Sequence, residues 1–443
     1  MAEVRPIQSL HYNLGTVESL ADVTAPPYDV INPAMRAALL ARSPFNVVEI
    51  DLPEAPGGGD PYEHAGETVE EWINQGILTA DREPAIWALT QEYEGPDGRR
   101  SVRRGMLCRI RVTDYGPGQV RPHERTQPGP KEDRLRLTRA TRHNLSPIFA
   151  LHPGDAWPHL EPATAGAPWA EVTDADGTLH RVWPIDDPAV HEAVAATLAN
   201  SELLIADGHH RYETARTYAE EIGGEGPHRY TLACLSSLDD PGLAVFPTHR
   251  LLKLEPDRLA SLEEQLRDRF EVEQVGLDQL DPGGENGVGV FGLVIGGRGA
   301  STGPDGAESN TGAAGGGGRT DASHGTRALR LRLRDPSSLA DQMKDRSQAY
   351  QRLDAAILEG LVLKGMLKMT EDDIAAKRGI GYVSSLDGAT STVEAGEYDC
   401  AFVLRPTPVE QVRAVADAGE TMPPKSTYFF PKILTGLVFN PLS

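Results

Sequence analysis

The sequence predicts a mixed α/β fold in which β and α segments are interleaved along the chain. Short runs rich in β-branched residues alternate with segments whose apolar residues recur at helical spacing, and this favours α/β or α+β architecture over an all-helical one. The 443-residue chain is long enough to bury a sizeable core. Its 39% hydrophobic and 24% charged residues are ordinary for a globular protein.

The first third of the chain combines a helix with several strands. Residues 45–53 are predicted as a strand, because the run is β-branched and Pro53 ends it. Apolar residues at helical spacing predict a helix over 60–77. Two strand-like runs within 85–112 are joined by EGPDGRR, and a Pro-Asp-Gly turn between two strands predicts a hairpin.

The remaining segments continue the alternation. A helix is predicted over 187–200, with a proline in its first turn. The run ELLIADG predicts a strand and turn, followed by a helix that ends at Gly223. Helical character returns over 337–367. Ten of the thirty residues from 297 to 326 are glycine and strand-like runs flank them, so we expect a hairpin with a disordered insertion at 297–326.

Composition narrows the function classes. A formal net charge of −22 repels nucleic-acid phosphates over the protein as a whole, so nucleic acid is disfavoured as a partner. Cys108, Cys234 and Cys400 form no CxxC pair, which indicates a reducing compartment and gives no zinc signature. The sequence contains neither a signal-peptide pattern nor a membrane-length apolar run, so we expect a cytoplasmic protein without a membrane partner.

The strongest candidate site is the run Asp207-Gly208-His209-His210-Arg211 within LLIADGHHRYETA. An apolar strand delivers Asp207 to its end, and Gly208 permits a tight turn and close backbone approach. The helix that follows presents free N–H groups and the positive end of its dipole, which favour an anion. His209, His210 and Arg211 add donors, and Asp207 is suited to bind magnesium, accept a proton or orient a histidine.

Other interpretations of this run remain open. Asp207 is also a residue type that caps helices, so the turn could be structural. His209 and Glu213 are four residues apart on one helix face near Asp207, which suits a metal-dependent hydrolase, although the sequence places no third soft ligand.

Two further segments carry candidate site residues. The run RPHERTQPGPKEDRLRL at 121–137 is predicted as a polar loop punctuated by three prolines; its functional interpretation is a wall over the phosphate turn. Near the C-terminus, hydroxyls stand beside lysine, which suits an oxyanion, although an ordinary strand with a lysine edge fits as well. The candidates are Glu124 as general base, with Arg125, Thr126, Lys131, Arg134, Lys425, Ser426 and Thr427 as phosphate or substrate contacts.

These segments together resemble the domain-of-unknown-function 1015 family. The matching runs are APPYDVI at 25–31, HERT and GPKEDRL within 123–135, ADGHHRYETA at 206–215, PTHRLL at 247–252 and PPKSTYFFPK at 423–432. The Asp-Gly-x-His-Arg turn is also similar to that of the ParB/sulfiredoxin-like superfamily, which includes a free serine kinase, sulfiredoxin and chromosome-partitioning proteins. The cysteine that sulfiredoxin needs in this turn is replaced by histidine, which disfavours sulfinic acid reduction.

The resemblance implies a ParB/sulfiredoxin-like core with additional N- and C-terminal elements. We expect an N-terminal region, 1–255, that includes this phosphate-binding core, and a C-terminal α/β region, 256–443. By matching position, Asp207, Gly208, His210 and Arg211 correspond to the turn of the serine kinase. Glu124 is the candidate for its upstream base, at a longer spacing than in the small kinases.

The expected function is phosphoryl transfer on a small molecule that bears phosphate, with serine or phosphoserine implied by the resemblance. Such catalysis relies on positioning and charge stabilisation. Asp207 would hold Mg²⁺ or the substrate hydroxyl, His210 and Arg211 would stabilise the transferring group, and Glu124 would take or return the proton, with ATP or ADP as the nucleotide. The alternatives are a nucleotide-sensing module without turnover and a ParB-like DNA-associated protein.

Overall fold

The chain folds into two compact units in a computed structural model that describes residues 2–55, 57–95, 98–297, 325–337, 339 and 343–443. The first unit comprises residues 1–244, 412–421 and 429–443, and the second comprises 245–411 and 422–428. Two segments of the C-terminal part therefore return to the first unit. The division at residue 255 that the sequence suggests stays a prediction.

The strands of the described residues are mostly short. In chain order they are β1 Val4–Arg5, β2 Leu10–Tyr12, β3 Leu78–Ala80, β4 Ile86–Glu94, β5 Arg100–Arg111, β6 Val120–Arg121, β7 His143–Asn144, β8 Ile148–His152, β9 Ala170–Thr173, β10 Leu179–Ile185, β11 Leu203–Asp207, β12 Tyr230–Ser237, β13 Ala244–Phe246, β14 His249–Leu252, β15 Phe270–Val275, β16 Val290–Ile295, β17 Arg327–Leu333, β18 Ile380–Val383, β19 Cys400–Val403, β20 Tyr428–Phe430 and β21 Asn440–Pro441.

The helices range from single turns to four turns. They are α1 Leu20–Val23, α2 Pro33–Arg42, α3 Val48–Asp51, α4 Pro61–Asn74, α5 Pro128–Thr141, α6 Trp157–Leu160, α7 Pro188–Leu198, α8 His209–Ile222, α9 Pro256–Arg269, α10 Gln348–Gln351, α11 Asp354–Ile357, α12 Glu371–Ala375, α13 Leu386–Glu394 and α14 Val409–Asp417. A π-helix over Leu358–Met366 continues α11. Strands and helices together confirm the predicted mixed α/β class.

A mixed sheet forms the centre of the first unit. Its strand order is β6-β11-β8-β12-β5-β4-β10-β9, with β1 paired to β5. The strand that carries the candidate turn, β11, lies between β6, to which it is parallel, and β8, to which it is antiparallel. Apolar side chains of β8, β11 and β12, such as Ile148, Ile205 and Leu235, share one buried cluster with Tyr212 of α8. This packing fixes the start of α8 at the end of β11.

The second unit contains a six-stranded antiparallel sheet in the order β15-β17-β16-β19-β14-β18. Its larger apolar cluster includes Leu262 of α9, Phe291 of β16 and Phe402 of β19. The strands β16 and β17 pair with Ile295 opposite Arg327, so the predicted hairpin strands are present. The predicted disordered insertion at 297–326 lies almost wholly outside the described residues.

Most predicted elements are confirmed, with ends within a few residues of the predicted ones. The helix predicted over 60–77 is α4, the 85–112 hairpin is β4 and β5, and the helix predicted over 187–200 is α7. The helix after the candidate turn is α8. Gly223 ends it with a φ of 69°, as its predicted role as a C-terminal stop requires.

Three predictions of local structure are wrong in whole or in part. Residues 45–53 contain the one-turn helix α3 instead of a strand, and the side chain of Asn46, just before it, supports the turn by accepting the Val48 N–H at 3.0 Å. The polar loop predicted over 121–137 becomes α5 from Pro128 onward, since proline is compatible with the first helical turn. Over 337–367, residues 343–347 are not helical, whereas α10, α11 and the π-helix follow between Gln348 and Met366.

One absence concerns the whole described chain. Within the residues given above, no helix combines the length and the apolar character needed to cross a membrane.

Candidate functional site

The candidate turn joins the end of β11 to the start of α8. Asp207 is the last residue of β11, and Gly208 adopts a left-handed conformation with φ 89° and ψ 29°. The 14-residue helix α8 begins at His209, and its N-cap residue is Gly208, which has no side chain to cap it. Its N-terminus therefore directs backbone N–H groups and the positive end of the helix dipole toward the turn.

Gly208 satisfies two requirements at once. A side chain at this position would adopt a φ that L residues rarely take. A Cβ atom there would also lie 3.0 Å from Nε of Arg211 and 3.1 Å from its Cζ. The absence of a side chain therefore lets the Arg211 guanidinium lie directly against the turn.

Replacing Gly208 with alanine is expected to lower the free energy of unfolding by about 2 kcal/mol, from backbone strain and from displacement of Arg211. The matched control is Gly177→Ala, at a glycine with a φ of 79° where an added Cβ would meet no atom within 4 Å. The control is expected to cost about 1 kcal/mol, from strain alone. Urea denaturation of both variants tests this, and equal losses would show that the contact with Arg211 has no energetic weight.

Two cations flank the Asp207 carboxylate. Its Oδ2 lies 3.4 Å from Nζ of Lys432 and 3.6 Å from Nη2 of Arg211. The Asp207 side chain is 23% exposed, so it remains accessible to a small ligand. One carboxylate beside an ammonium and a guanidinium, at a helix N-terminus, is an arrangement that attracts anions and positions a hydroxyl or a metal-bound phosphate.

Arg211 also holds the turn to the neighbouring strand. Its Nη1 donates to Oγ of Ser146 at 2.7 Å and to the carbonyl oxygen of Pro147. The side chain is only 10% exposed. These contacts fix the guanidinium from one side while Nη2 faces Asp207, so Arg211 acts here as a rigid positive support for the carboxylate.

The two histidines of the turn accept hydrogen bonds from one preceding segment. The backbone N–H of His123 donates to Nε2 of His209 at 3.3 Å, and that of Gln127 donates to Nε2 of His210 at 2.9 Å. Both rings therefore carry their proton on Nδ1 in this arrangement. The segment 123–127 runs along the start of α8 and places Glu124, Arg125 and Thr126 between the two contacts.

Burial keeps two histidines of the site, His123 and His209, neutral. Burial lowers the pKa of His123 to about 4 and lowers the pKa of His209 well below its ordinary value. His123 also donates from Nδ1 to the carbonyl oxygen of Ile205 at 2.6 Å, which fixes its tautomer. At neutral pH both rings are uncharged, so the positive charge near Asp207 comes from Lys432 and Arg211.

The low pKa of His123 predicts a loss of stability in acid. Between its unfolded pKa near 6.5 and its folded pKa near 4, only the unfolded chain takes up the proton, so stability falls as pH falls through this window. We expect this histidine alone to contribute a loss of about 2 kcal/mol between pH 7 and pH 5. Urea denaturation of wild type and His123→Gln at both pH values measures it; equal pH dependence in the two proteins would contradict it.

The remaining predicted residues lie in different surroundings. Arg125 is exposed and donates to Oγ1 of Thr421 at 3.1 Å, and Thr126 is half-buried. On α5, the Lys131 carbonyl oxygen accepts a long bond of 3.4 Å from Thr214 of α8. Arg134 is buried, 5% exposed, in an ion pair of 3.0 Å with Asp51.

The candidates near the C-terminus belong to the second unit. Lys425 adopts a left-handed conformation with φ 57°, and the Ser426 hydroxyl donates to the carbonyl oxygen of Pro423 at 2.6 Å. The Ser426 carbonyl oxygen accepts from Thr407 at 2.9 Å. Lys425, Ser426 and Thr427 thus form part of a local turn, and their role in phosphate binding stays a prediction.

Lys432 is the residue whose importance the sequence understates. It lies in the predicted C-terminal motif, where lysine beside hydroxyls is expected to suit an oxyanion, but the predicted phosphate contacts of that motif end at Thr427. A buried network fixes its backbone: Arg103, 1% exposed, donates to the Pro431 carbonyl oxygen at 2.5 Å, and Gln91 donates to the Lys432 carbonyl oxygen at 2.9 Å. Burial lowers the pKa of Arg103 to about 10. The network directs the Lys432 ammonium to Asp207.

The described residues do not form the metal site that a metal-dependent hydrolase would need. Throughout the described ranges, no three His, Cys, Asp or Glu side chains are grouped so that they could hold a metal ion. His209, one of the alternative ligands, is buried and accepts the His123 N–H, while Glu213 pairs with Arg216 at 3.6 Å. A magnesium ion that arrives with substrate phosphates needs only one or two protein carboxylates, so Asp207 still fits that use.

Comparison with protein families identifies the chain. The family described as protein of unknown function, DUF1015, matches residues 4–315, which is more than half of the sequence. The chain belongs to the DUF1015 family. The resemblance predicted from its motifs is confirmed, and the matched range includes the candidate turn at Asp207–Arg211. No curated protein matches this DUF1015 chain.

Solved structures that are similar to this DUF1015 chain are distant. A conserved hypothetical protein from Pyrococcus furiosus has 14% identity and a TM-score of 0.33, covering 72% of this chain and 92% of that one. A free serine kinase in complex with AMP has 14% identity and a TM-score of 0.33, and the match covers 72% of this chain and 88% of that one. SbnI with a C-terminal truncation, from Staphylococcus aureus, has 10% identity and a TM-score of 0.34, and the match covers 74% of this chain and 85% of that one. The predicted distant relative is thus among the matches, and AMP is that protein's ligand.

Proposed function

We propose that this chain transfers a phosphoryl group to or from the hydroxyl of a small molecule at the Asp207–Arg211 turn. Serine and phosphoserine are the first substrates to test, because they are what the resemblance of the turn implies. The supporting observation is the Asp207 carboxylate, held between Lys432 and Arg211 at the start of α8. Phosphoryl transfer needs this combination: positioning of the hydroxyl and stabilisation of charge on the transferring oxygens.

The proposed chemistry assigns one task to each group. The substrate hydroxyl oxygen forms a bond to phosphorus while the bond from phosphorus to the donor oxygen breaks. Glu124, on the segment that contacts both histidines, takes the hydroxyl proton, and Lys432 and Arg211 stabilise the equatorial oxygens. Transfer to water, with phosphoserine as donor, uses the same groups in a phosphatase direction.

The nucleotide and the metal belong to the same proposal. ATP or ADP would be the phosphoryl donor, and Mg²⁺ would be held by Asp207 together with the nucleotide phosphates. When bound, the metal supplies neutralisation of charge on the transferring group. This chain's own contribution is to orient the phosphates at the helix N-terminus and to hold the Asp207 carboxylate beside two cations.

A phosphorus NMR screen tests the proposal. Purified protein is incubated with Mg²⁺ and serine plus ATP, ADP or pyrophosphate, and separately with phosphoserine alone or with ADP. The expected result is appearance of phosphoserine, or of inorganic phosphate from phosphoserine, at a rate that Asp207→Asn abolishes. Equal inertness of wild type and variant in every mixture would refute phosphoryl transfer to these substrates. Tight nucleotide binding without turnover would instead identify a nucleotide-sensing module.

A further inference from the structure

A second polar cleft is lined in part by Arg211. Its cavity volume is about 40 Å³, and it opens to solvent. Its polar lining includes Tyr28, Asp51, Arg134, Ser146 and Arg211. Two guanidinium groups therefore line one small cleft, and one of them also contacts the Asp207 carboxylate.

Arg134 is only partly satisfied by its neighbours. Its Nη1 donates to Asp51 Oδ1 at 3.0 Å and to the Asp51 carbonyl oxygen at 2.7 Å, and its Nε donates to Asp133 at 2.7 Å. The guanidinium stacks over the Tyr28 ring, with Cζ 4.3 Å from the ring centroid. Within the described residues, these contacts involve Nη1 and Nε and leave Nη2 without a hydrogen bond. Nη2 is not fully buried, so it is open to an acceptor that enters the cleft.

Tyr28 adds a second donor to the same cleft. Tyr28 lines the cleft, and its ring lies under the Arg134 guanidinium. Burial raises its pKa to about 12, against the opposing effect of the nearby Arg211 and Arg134 charges. The hydroxyl therefore keeps its proton at neutral pH and is able to donate it to an acceptor.

We propose that this cleft binds an oxyanion of the ligand, a carboxylate or a phosphate, through Arg134 Nη2, the Tyr28 hydroxyl and the Arg211 guanidinium. Planar guanidinium groups favour carboxylate and phosphate oxygens, and the phenol supplies a neutral donor beside them. Asp51 is the internal partner that keeps Arg134 in place. Because Arg211 lines this cleft and also contacts Asp207, the ligand would carry a second anionic group besides the phosphoryl group at the turn.

This inference deepens the proposed function, on which its link to phosphoryl transfer rests, but it makes a claim about binding alone. Pairs of ligands that share a phosphoryl group and differ in a second anion show whether the cleft binds a carboxylate or a phosphate. Phosphoserine carries a carboxylate that phosphoethanolamine lacks, and ADP carries a phosphate that AMP lacks. Isothermal titration calorimetry of all four against the full chain measures their affinities without turnover.

We expect either phosphoserine to bind at least about tenfold more tightly than phosphoethanolamine, or ADP to bind at least about tenfold more tightly than AMP. Tyr28→Phe keeps the ring under Arg134 and is expected to reduce that difference about tenfold. The matched control is Tyr218→Phe, which removes a hydroxyl from a different part of the first unit, packed near Leu135 and Leu442. A preference within the serine pair identifies a carboxylate, and a preference within the nucleotide pair identifies a phosphate.

Two outcomes would overturn the inference. One is equal affinity within both pairs; the other is a preference that Tyr28→Phe leaves unchanged. Its failure is distinct from failure of the proposed function. Turnover of phosphoserine together with equal affinity within both pairs would refute the second anion site and leave phosphoryl transfer standing. A Tyr28-dependent binding preference without any turnover would leave the cleft standing and refute the reaction.

Discussion

Asp207→Asn is expected to lower the rate of phosphoryl transfer about 1,000-fold, within the range by which loss of an acid–base or charge-positioning group slows an enzyme. The amide keeps the size of the side chain but removes the charge that pairs with Lys432 and Arg211. It also removes the carboxylate oxygen that would hold the metal or the hydroxyl. Initial rates from phosphorus NMR at saturating substrate measure the effect on kcat.

The control for this substitution is Asp239→Asn, an exposed aspartate in the turn after β12. We expect it to leave both the rate and the thermal unfolding midpoint unchanged. If Asp207→Asn retains a kcat within threefold of wild type, Asp207 has no part in the chemistry, and the proposed function loses its central residue.

Arg134→Met is expected to lower the free energy of unfolding by about 3–5 kcal/mol, because removal of one partner of a buried ion pair leaves the other charge uncompensated. Asp51 is the partner, with a side chain that is as buried as that of Arg134. Burial already raises the pKa of Asp51, and Arg134 is the largest opposing influence. Urea denaturation at pH 7 measures the loss.

The double variant Asp51→Asn with Arg134→Met separates charge from packing. If the uncompensated carboxylate causes the loss, the double variant should recover at least half of it, since no buried charge remains. A double variant as unstable as Arg134→Met alone would show that stacking on Tyr28, and not the ion pair, carries the stability.

The local signals of the candidate turn were sufficient to predict it. Each signal depends on nearby residues only: an apolar strand, then Asp207 and a glycine, then a polar helical run ended by Gly223. The strand β11 and the helix α8 have the predicted ends. Such signals failed at α3, where Val47, Val48 and Ile50 are all buried and the periodicity of so short an apolar run does not distinguish a strand from a helix.

The charged helix α5 exposes a different limit. Its run of Lys, Glu, Asp and Arg has little amphipathic pattern, so the sequence indicated a solvated loop. In the structure α5 packs against α4 and α8, and Arg134 is buried with Asp51, a residue 83 positions earlier. No local pattern identifies which charge of such a run will be buried, because its partner is supplied by the tertiary fold.

The Asp207 site can be completed only late in translation of the chain. The carboxylate and the Lys432 ammonium that pairs with it are 225 residues apart in the chain. At typical translation rates, roughly 10 to 45 s separate the emergence of these two residues from the ribosome. During that interval the nascent chain holds the turn but not its ammonium. Phosphoryl transfer by this site would therefore begin only after residue 432 has been released and folded, and prematurely terminated chains would be inert.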